Sequence, residues 1–204
     1  MPSKSPKKAS PPQGAEVAAD AENRRVPTQE RSRQRVARIL DAAASVFAEQ
    51  GHDAATMEAI AAKAETSIGS IYQFFPNKAA VFDALVRRYH GAIRAFLDNI
   101  LQEELARAHP LGDIIDTSID ALTTLHETDL GFRAVWAGMH LTKTVVREGE
   151  ALNQEIARRI AQVLAPKLPG LPASRHLLVA TMVVEIVSAM LIFSARRLSS
   201  GEPN

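Results

Sequence analysis

The chain of 204 residues contains no cysteine, which excludes a disulfide framework and any metal site built on thiolates. A chain without cysteine is compatible with the reducing cytoplasm, where we expect the protein to act. The first residues include lysines but lack the apolar stretch of about 7–15 residues that a secretory signal needs. The six histidines are scattered along the chain, and no nucleophile motif is present. We therefore expect neither an enzyme nor a resident cofactor or metal.

A large excess of charge of one sign is also lacking, since the formal net charge is only +1. The charges are unevenly distributed, however, because residues 1–38 carry nine Lys/Arg against four Asp/Glu, whereas the rest carries 15 against 19. A basic leader on a mildly acidic body fits an arm that contacts polyanions, and a solubilising tail explains the same pattern. Residues 1–23, rich in Pro, Ser, Ala and Lys, are predicted to form a disordered leader.

Strand signals are nearly absent, because no sustained polar–apolar alternation and no Asn-Gly or Asp-Gly hairpin occurs. Apolar residues recur at helical spacing instead, and a hydrophobic content of 46% is enough to build a core. We predict an all-α protein of about nine helices, with a smaller domain at residues 24–77 and a larger one at 78–204. The main predicted helices cover residues 34–50, 57–64, 68–74, 78–106, 111–127, 130–141, 142–164 and 174–198.

The segment SIGSIYQFFPNK, residues 67–78, is apolar on one helical side and nearly bare on the other. Thr56 is predicted to cap a first helix. After a four-residue break, Ser67 is predicted to cap a short second helix, which Pro76 ends. Ile71 and Phe75 should face inward, because so short a helix does not form in water without packing. Helix, break and short helix make up a helix-turn-helix, whose second helix enters the major groove of DNA.

The stretch TMEAIAAKAETSIGSIYQFFPNKAAVFDAL, with RILDAAASVFAEQGHDAAT before it, resembles the signature of TetR-type (tetracycline-repressor-like) transcriptional regulators over about residues 31–85. The resemblance implies a dimer that places two recognition helices in successive major grooves of a double-stranded DNA operator. It favours a repressor over an activator. The phosphate contacts that it implies are Thr56, Tyr72 and Lys78. The residues that it places at or near base edges are Ser67, Gly69, Ser70 and Gln73, with Ile68 near a thymine methyl. The arm residues that it directs to the DNA backbone or minor groove are Arg31, Arg33 and Arg35.

Each of these residues also has an ordinary structural explanation. Tyr72 can be a core tyrosine, Thr56 only a cap, Lys78 a solvated lysine, and the arm arginines simply hydrated. A cation in the first turn of a helix is disfavoured by the helix dipole, so Lys78 indicates an anionic partner. Glu65-Thr66 departs from the family, which often has Gly-Val in this turn, and brings a carboxylate near the expected phosphates.

The second half resembles the family only in the number and length of its helices. The family implies that a small molecule enters this domain, moves the fourth helix and separates the two DNA-binding heads. The scarcity of charge in its core predicts an apolar or aromatic effector. The candidate contacts, which can equally be ordinary core or surface residues, are Tyr89, His90, Phe96, Trp136, Met139 and His140. A DNA-binding regulator or architectural protein without a small-molecule response is the alternative function.

The last two long helices, residues 142–164 and 174–198, are apolar enough to form a four-helix interface in a homodimer. Residues 177–193 have the minimum length of a membrane span, but Glu185 lies at their centre, which costs roughly 2.5–3.5 kcal/mol in a bilayer. We therefore expect this helix to contact its own domain and a partner chain, and no membrane. Glu185 can pair across the interface with Arg158 or Arg159, or point to solvent.

Overall fold

The computed structural model describes the backbone of residues 14–100 and 109–199, and the side chains of residues 29–99 and 109–197. This described part contains eight α-helices and no strand, which confirms the predicted all-α fold and comes close to the expected nine helices. The helices are α1 (Gly14–Ala54), α2 (Met57–Lys63), α3 (Ile68–Tyr72), α4 (Lys78–Ile100), α5 (Leu111–Thr128), α6 (Leu130–Ala137), α7 (Lys143–Lys167) and α8 (Ala173–Ser199). The expected extension of the fourth helix beyond residue 100 lies outside the described residues.

Side-chain caps set the start of five of these helices, including α6, where Asp129 accepts a hydrogen bond from the amide of Phe132 at 3.0 Å. Thr56, Ser67 and Asn77 each accept a hydrogen bond from the amide three residues further on, at 3.1, 3.2 and 2.9 Å. Thr142 caps α7 in the same way at 3.0 Å. Because the first amides of a helix have no partner inside it, these oxygens decide where each helix begins. The caps predicted at Thr56, Ser67 and Asn77 are confirmed.

Helix α1 is longer than predicted and contains one break. Gly51 has φ 75° and ψ 165°, so the regular helix is interrupted where the sequence predicted its end. At the other end the helix begins at Gly14. The expected disordered leader, residues 1–23, overlaps it from residue 14 onward and otherwise lies outside the described residues.

The chain divides into two compact units between Arg38 and Ile39, so the boundary predicted near Lys78 lies inside the second unit. Within the second unit, aromatic residues pack together from both sides of Lys78. Phe82 of α4 is fully buried and meets the rings of Phe47 and His52 edge-on, with centroids 5.4 and 5.2 Å apart. Helix α4 therefore shares one core with the end of α1.

Helices α7 and α8 pack along each other and form a separate apolar cluster. Ala157 and Leu164 of α7 lie buried against Ala180 and Val184 of α8. In the first half of α8 the buried positions His176, Ala180 and Val184 recur every four residues, and Ala195 follows after eleven, which is the spacing of one helix face. The opposite face of α8 points away from this cluster.

Candidate nucleic-acid interface and effector core

Helix α3 has one buried side and one exposed side. Ile71 has no exposed surface, and Phe75 in the following turn is 8% exposed, as the sequence predicted. Tyr72 is 50% exposed, which excludes the alternative that it is a core tyrosine. We call the exposed side the α3 outer face, and it consists of Ser67, Ile68, Gly69, Tyr72 and Gln73.

The α3 outer face carries small, apolar or uncharged polar side chains and no charged one. An added Cβ at Gly69 would meet no atom within 4 Å, so the backbone is open to close approach. The hydroxyl of Ser67 donates to Oγ of the half-buried Ser70 at 3.0 Å. A phenol and an amide at the other end, on Tyr72 and Gln73, add hydrogen-bonding groups without charge. Such a surface can hydrogen-bond to base edges and phosphates in a groove.

Glu65, in the turn before α3, is the one non-glycine residue with a positive φ among the described residues, at 51°. The amides around it close a Schellman motif, since Glu65 N donates to the carbonyl of Ala62 at 3.2 Å and Thr66 N to that of Ala61 at 3.1 Å. This position favours glycine because a Cβ crowds the backbone in the left-handed region. The turn therefore adopts a glycine conformation without a glycine.

Replacing Glu65 with glycine should raise the free energy of unfolding by about 1 kcal/mol, because it removes the left-handed strain from the turn. Urea denaturation of the purified protein measures this change. Glu65→Ala is the control, since alanine removes the carboxylate but keeps the Cβ and should bring no comparable gain. An equal gain in both variants would assign the effect to charge rather than to backbone conformation.

The ammonium group of the half-buried Lys78 is bound to three backbone carbonyls. Its Nζ donates to the carbonyl oxygens of His52 at 2.6 Å, Asp53 at 3.0 Å and Ala55 at 2.8 Å. An ammonium group has three N–H bonds, and all three are used here. The positive charge of Lys78, which is unfavourable at the N-terminus of α4, is therefore neutralised by carbonyls in the last turn of α1 and at Ala55 just after it. A phosphate contact by Nζ stays a prediction, and it requires one of these three bonds to open.

Two other groups of predicted DNA contacts lie outside α3. Thr56 is exposed and already serves as the cap of α2, so its phosphate contact stays a prediction. Arg31, Arg33 and Arg35 belong to the first compact unit, where they are exposed on a helix. Arg33 lies 4.0 Å from the carboxylate of Glu30, a distance that leaves a solvent-exposed pair weak.

Two candidate effector contacts belong to an aromatic cluster that we define as Tyr89, Phe132, Trp136 and His126. Phe132 stacks on Trp136 with centroids 4.2 Å apart and meets Tyr89 and His126 edge-on at 5.9 and 6.3 Å. The Tyr89 hydroxyl donates to Asp129 at 2.7 Å, and burial raises the pKa of this phenol above its ordinary value. Phe132 and His126 were not among the predicted contacts, although the four-residue spacing from Phe132 to Trp136 was visible.

Two buried histidines have ring nitrogens without a hydrogen-bond partner. They are Nε2 of His90 and Nδ1 of His126, whose other nitrogen lies 2.9 Å from the Ser194 hydroxyl. Burial, and then the charge of Arg94, lowers the pKa of His90 to about 4. Burial also lowers the pKa of His126, with a smaller contribution from Arg133. Both imidazoles are therefore neutral near pH 7 and can hydrogen-bond to an uncharged polar group.

The remaining candidate effector contacts are less enclosed. Phe96 and Met139 are half-buried. His140 lies at the surface, where its Nδ1 accepts a hydrogen bond from Arg196 at 3.1 Å. The structure thus brings Tyr89 and Trp136 together and places His140 outside the core. Within the described part of the chain, no group of three or more His, Asp or Glu residues is arranged to hold a metal ion.

Helix α8 exposes large apolar side chains on the side facing away from α7. We call this surface the α8 apolar face, and its residues are Leu178, Met182, Ile186, Met190 and Phe193. Residues 173–197 are long and apolar enough to cross a membrane by length and composition, as no other described helix is. Glu185 lies beside this face and accepts a hydrogen bond from Asn153 at 3.4 Å, whereas Arg159 pairs with Asp98.

Two family models match the sequence. Residues 39–85 match the model of bacterial regulatory proteins of the tetR family, and residues 110–201 match a tetracyclin repressor-like C-terminal domain. The first match contains α2, α3 and most of the segment that bears the predicted DNA contacts. The second contains α5 to α8.

Sequence similarity to curated proteins is confined to part of the chain. The HTH-type transcriptional repressor KstR of Mycobacterium tuberculosis is 33% identical over 69 residues, which cover 34% of this chain and 31% of that protein. The KstR of Mycolicibacterium smegmatis is also 33% identical over 69 residues, which cover 34% of each chain. The matched region thus spans about a third of the length of these relatives.

Similarity to solved structures extends over most of the chain. A structure described as that of a TetR-family transcriptional regulator from Mesorhizobium loti has a TM-score of 0.63 and 19% identity, covering 85% of this chain and 87% of that one. SmeT, the repressor of a multidrug efflux pump of Stenotrophomonas maltophilia, has a TM-score of 0.60 and 24% identity, with 80% and 85% covered. At these identities the structures share a fold with this chain.

Proposed function

Since this chain belongs to the TetR family of bacterial regulatory proteins, we propose that it is a DNA-binding transcriptional repressor that acts in the cytoplasm as a homodimer on an operator. The observation that carries this proposal is the α3 outer face, which stays open to solvent while Ile71 and Phe75 anchor the helix from behind. A helix of five residues, even with the Ser67 cap, does not stay folded in water without such packing. No catalytic role is proposed.

Recognition is proposed to combine uncharged groups on α3 with positive charge on the arm. Tyr72 and Thr56 are exposed and placed to contact phosphates, whereas Gln73 can hydrogen-bond to a base edge. Ile68 is 37% exposed and fits the methyl group of a thymine. The arm arginines add contacts to the DNA backbone that depend on salt rather than on sequence.

The homodimer is proposed to form through the α8 apolar face, with α7 beside it. Helix α7 covers one side of α8, and the side chains on the other side remain 47–66% exposed in the single chain. A contiguous apolar surface of this kind marks an interaction site on a soluble protein. A second copy supplies the same surface, as a two-fold interface requires, and two such helix pairs make a four-helix contact.

The effector is proposed to be a small apolar or aromatic molecule that binds in the core of the second unit beside the aromatic cluster. The stacked rings of Phe132 and Trp136 supply apolar contacts, and the unpartnered nitrogens of His90 and His126 can bind a hydroxyl or carbonyl group. His90 also lies on α4, the helix that begins directly after the DNA-binding segment. Binding beside His90 can therefore bias the position of that segment.

Selection of bound fragments from the host genome tests the DNA-binding function. We expect enrichment of a two-fold symmetric sequence whose half-sites are separated by one turn of the DNA double helix or a multiple of it. Gln73→Ala should relax the preference at one base position by roughly 1–3 kcal/mol and leave the other positions unchanged. Thr123→Ala, at an exposed position of α5, is the control and should bind as the wild type does.

One outcome of this selection would change the proposal. Fragments enriched without any shared sequence would indicate an architectural protein rather than an operator-specific repressor.

Thermal-shift measurements with aromatic and aliphatic compounds test the effector separately. A compound that raises the melting temperature should also release the operator, because it favours the state that binds DNA weakly.

A further inference from the structure

The three hydrogen bonds of Lys78 join the two ends of the proposed DNA-reading segment, residues 55–78. The carbonyls of His52, Asp53 and Ala55 lie just before Thr56, which caps α2, and Lys78 is the first residue of α4. Residues 55–78 therefore form a closed loop that contains α2, the turn and α3. We call these bonds the Lys78 clasp.

The clasp is chemically well matched. Carbonyls near a helix C-terminus carry the negative end of the helix dipole, so a cation is favoured there. The same lysine sits at the N-terminus of α4, where its charge would otherwise be unfavourable. Two of the three bonds are partly buried, to His52 and Ala55, which makes charge-assisted hydrogen bonds stronger than they are in water.

Among the described residues, the loop has few other directional contacts with the rest of the second unit. One is the ion pair between Lys63 of α2 and Glu49 of α1 at 2.8 Å, which is solvent-exposed and therefore weak. Asn77 caps α4 beside the clasp, and Ile71 and Phe75 hold α3 by apolar contact alone. Apolar packing is not directional, whereas three convergent hydrogen bonds define a position within a fraction of an ångström. The clasp can therefore fix the orientation of α3 relative to the rest of the second unit.

We propose that Lys78 is a positioning residue for DNA recognition, which orients α3 by clasping the two ends of segment 55–78 instead of binding a phosphate. This inference rests on the proposed DNA-binding function, since its readout is the affinity for an operator. It assigns the positive charge of Lys78 to the carbonyls of His52, Asp53 and Ala55 at the end of α1, and leaves phosphate contacts to other residues.

Three roles of Lys78 predict different results for Lys78→Met in the full-length protein, measured well below its melting temperature. A positioning role lowers affinity for the selected operator about tenfold or more, but leaves affinity for unrelated duplex DNA and the salt slope unchanged, because no charge is removed from the contact. A phosphate contact lowers both affinities alike and reduces the slope of log K against log salt by about 0.9. A purely structural role changes neither affinity while the protein is folded.

The charge-preserving variant Lys78→Arg separates the same roles in a protein that keeps its net charge. Arginine binds phosphates well, so a phosphate role predicts nearly normal operator affinity. A planar guanidinium does not reproduce three convergent bonds from a single nitrogen, so the clasp predicts a loss of operator affinity similar to that of Lys78→Met. Lys63→Met removes an exposed lysine that pairs with Glu49 at 2.8 Å, and as the control it should leave operator preference unchanged.

Amide hydrogen exchange in the absence of DNA makes this test independent of the operator. The clasp predicts faster exchange in α2 and α3 of Lys78→Met and unchanged exchange in α8. Unchanged exchange in α2 and α3, equal loss of specific and unspecific affinity, or full rescue by arginine would each overturn the inference. If wild-type protein enriches no sequence while the exchange result is as expected, the proposed function fails and the clasp does not.

Discussion

Ile186→Asp is expected to convert the protein from a dimer into monomers and to weaken operator binding on the order of a hundredfold or more. Ile186 is 58% exposed at the middle of the α8 apolar face. In a two-fold dimer the substitution buries two carboxylates in an apolar interface, without partners for either charge. Two linked DNA-binding segments bind an operator far more tightly than one segment does. Loss of the dimer therefore weakens operator binding.

Light scattering after gel filtration in detergent-free buffer measures the mass, and a fluorescence titration measures operator affinity. Ile119→Asp is a matched control, since Ile119 on α5 is 54% exposed and lies outside the α8 apolar face. We expect the wild type and Ile119→Asp to be dimers and Ile186→Asp to be monomeric but folded. A dimer that survives Ile186→Asp would place the interface elsewhere, and a wild type that stays in solution only with detergent would favour a membrane contact.

Gly131→Ala is expected to lower the free energy of unfolding by about 2–3 kcal/mol, the upper part of the range for overpacked cores. A Cβ added to Gly131 would lie 2.6 Å from Cβ of Ala44 and would clash with the hydroxyl of Tyr89. Ala44 cannot rotate away because its Cβ is fixed to the backbone of α1. Moving Tyr89 would break its 2.7 Å hydrogen bond to Asp129, which also caps α6.

Gly112→Ala provides a close comparison for this substitution. Gly112 is the second residue of α5, as Gly131 is the second residue of α6, and a Cβ added to it would meet no atom within 4 Å. We expect Gly112→Ala to leave stability unchanged or to raise it by up to about 1 kcal/mol, since alanine favours a helix. Urea denaturation measures both variants. Equal effects would mean that helix propensity, and not the close approach of α1 and α6, controls stability at Gly131.

The local structure of the DNA-reading segment could be predicted almost residue by residue. The caps Thr56, Ser67 and Asn77, the buried anchors Ile71 and Phe75 and the break at Gly51 all follow from short-range rules. The caps and the break depend on groups a few positions apart in sequence, so they form whatever the rest of the chain does. For Ile71 and Phe75 the sequence predicted the inward side of α3, and the tertiary packing supplies their burial.

The environments in the second half could not be predicted in the same way. Helical spacing indicated which residues face a core, but Trp136 and His140 are only four positions apart, and one is buried against Phe132 while the other lies at the surface. Phe132 was overlooked because its partners Tyr89 and His126 lie on other helices. Periodicity defines the faces of one helix and carries no information about which other helix covers them.

The amino-acid sequence by itself determined the all-helical class, the helix-turn-helix and the family resemblance, because these depend on local spacing and capping groups. Only the tertiary structure decided that Lys78 binds three carbonyls 23–26 residues away, and that one side of α8 stays uncovered by its own chain. The physical reason is that hydrogen bonds and burial depend on distances in space. A lysine at the start of a helix has the same sequence signature whether the nearest acceptor is a phosphate or the end of another helix.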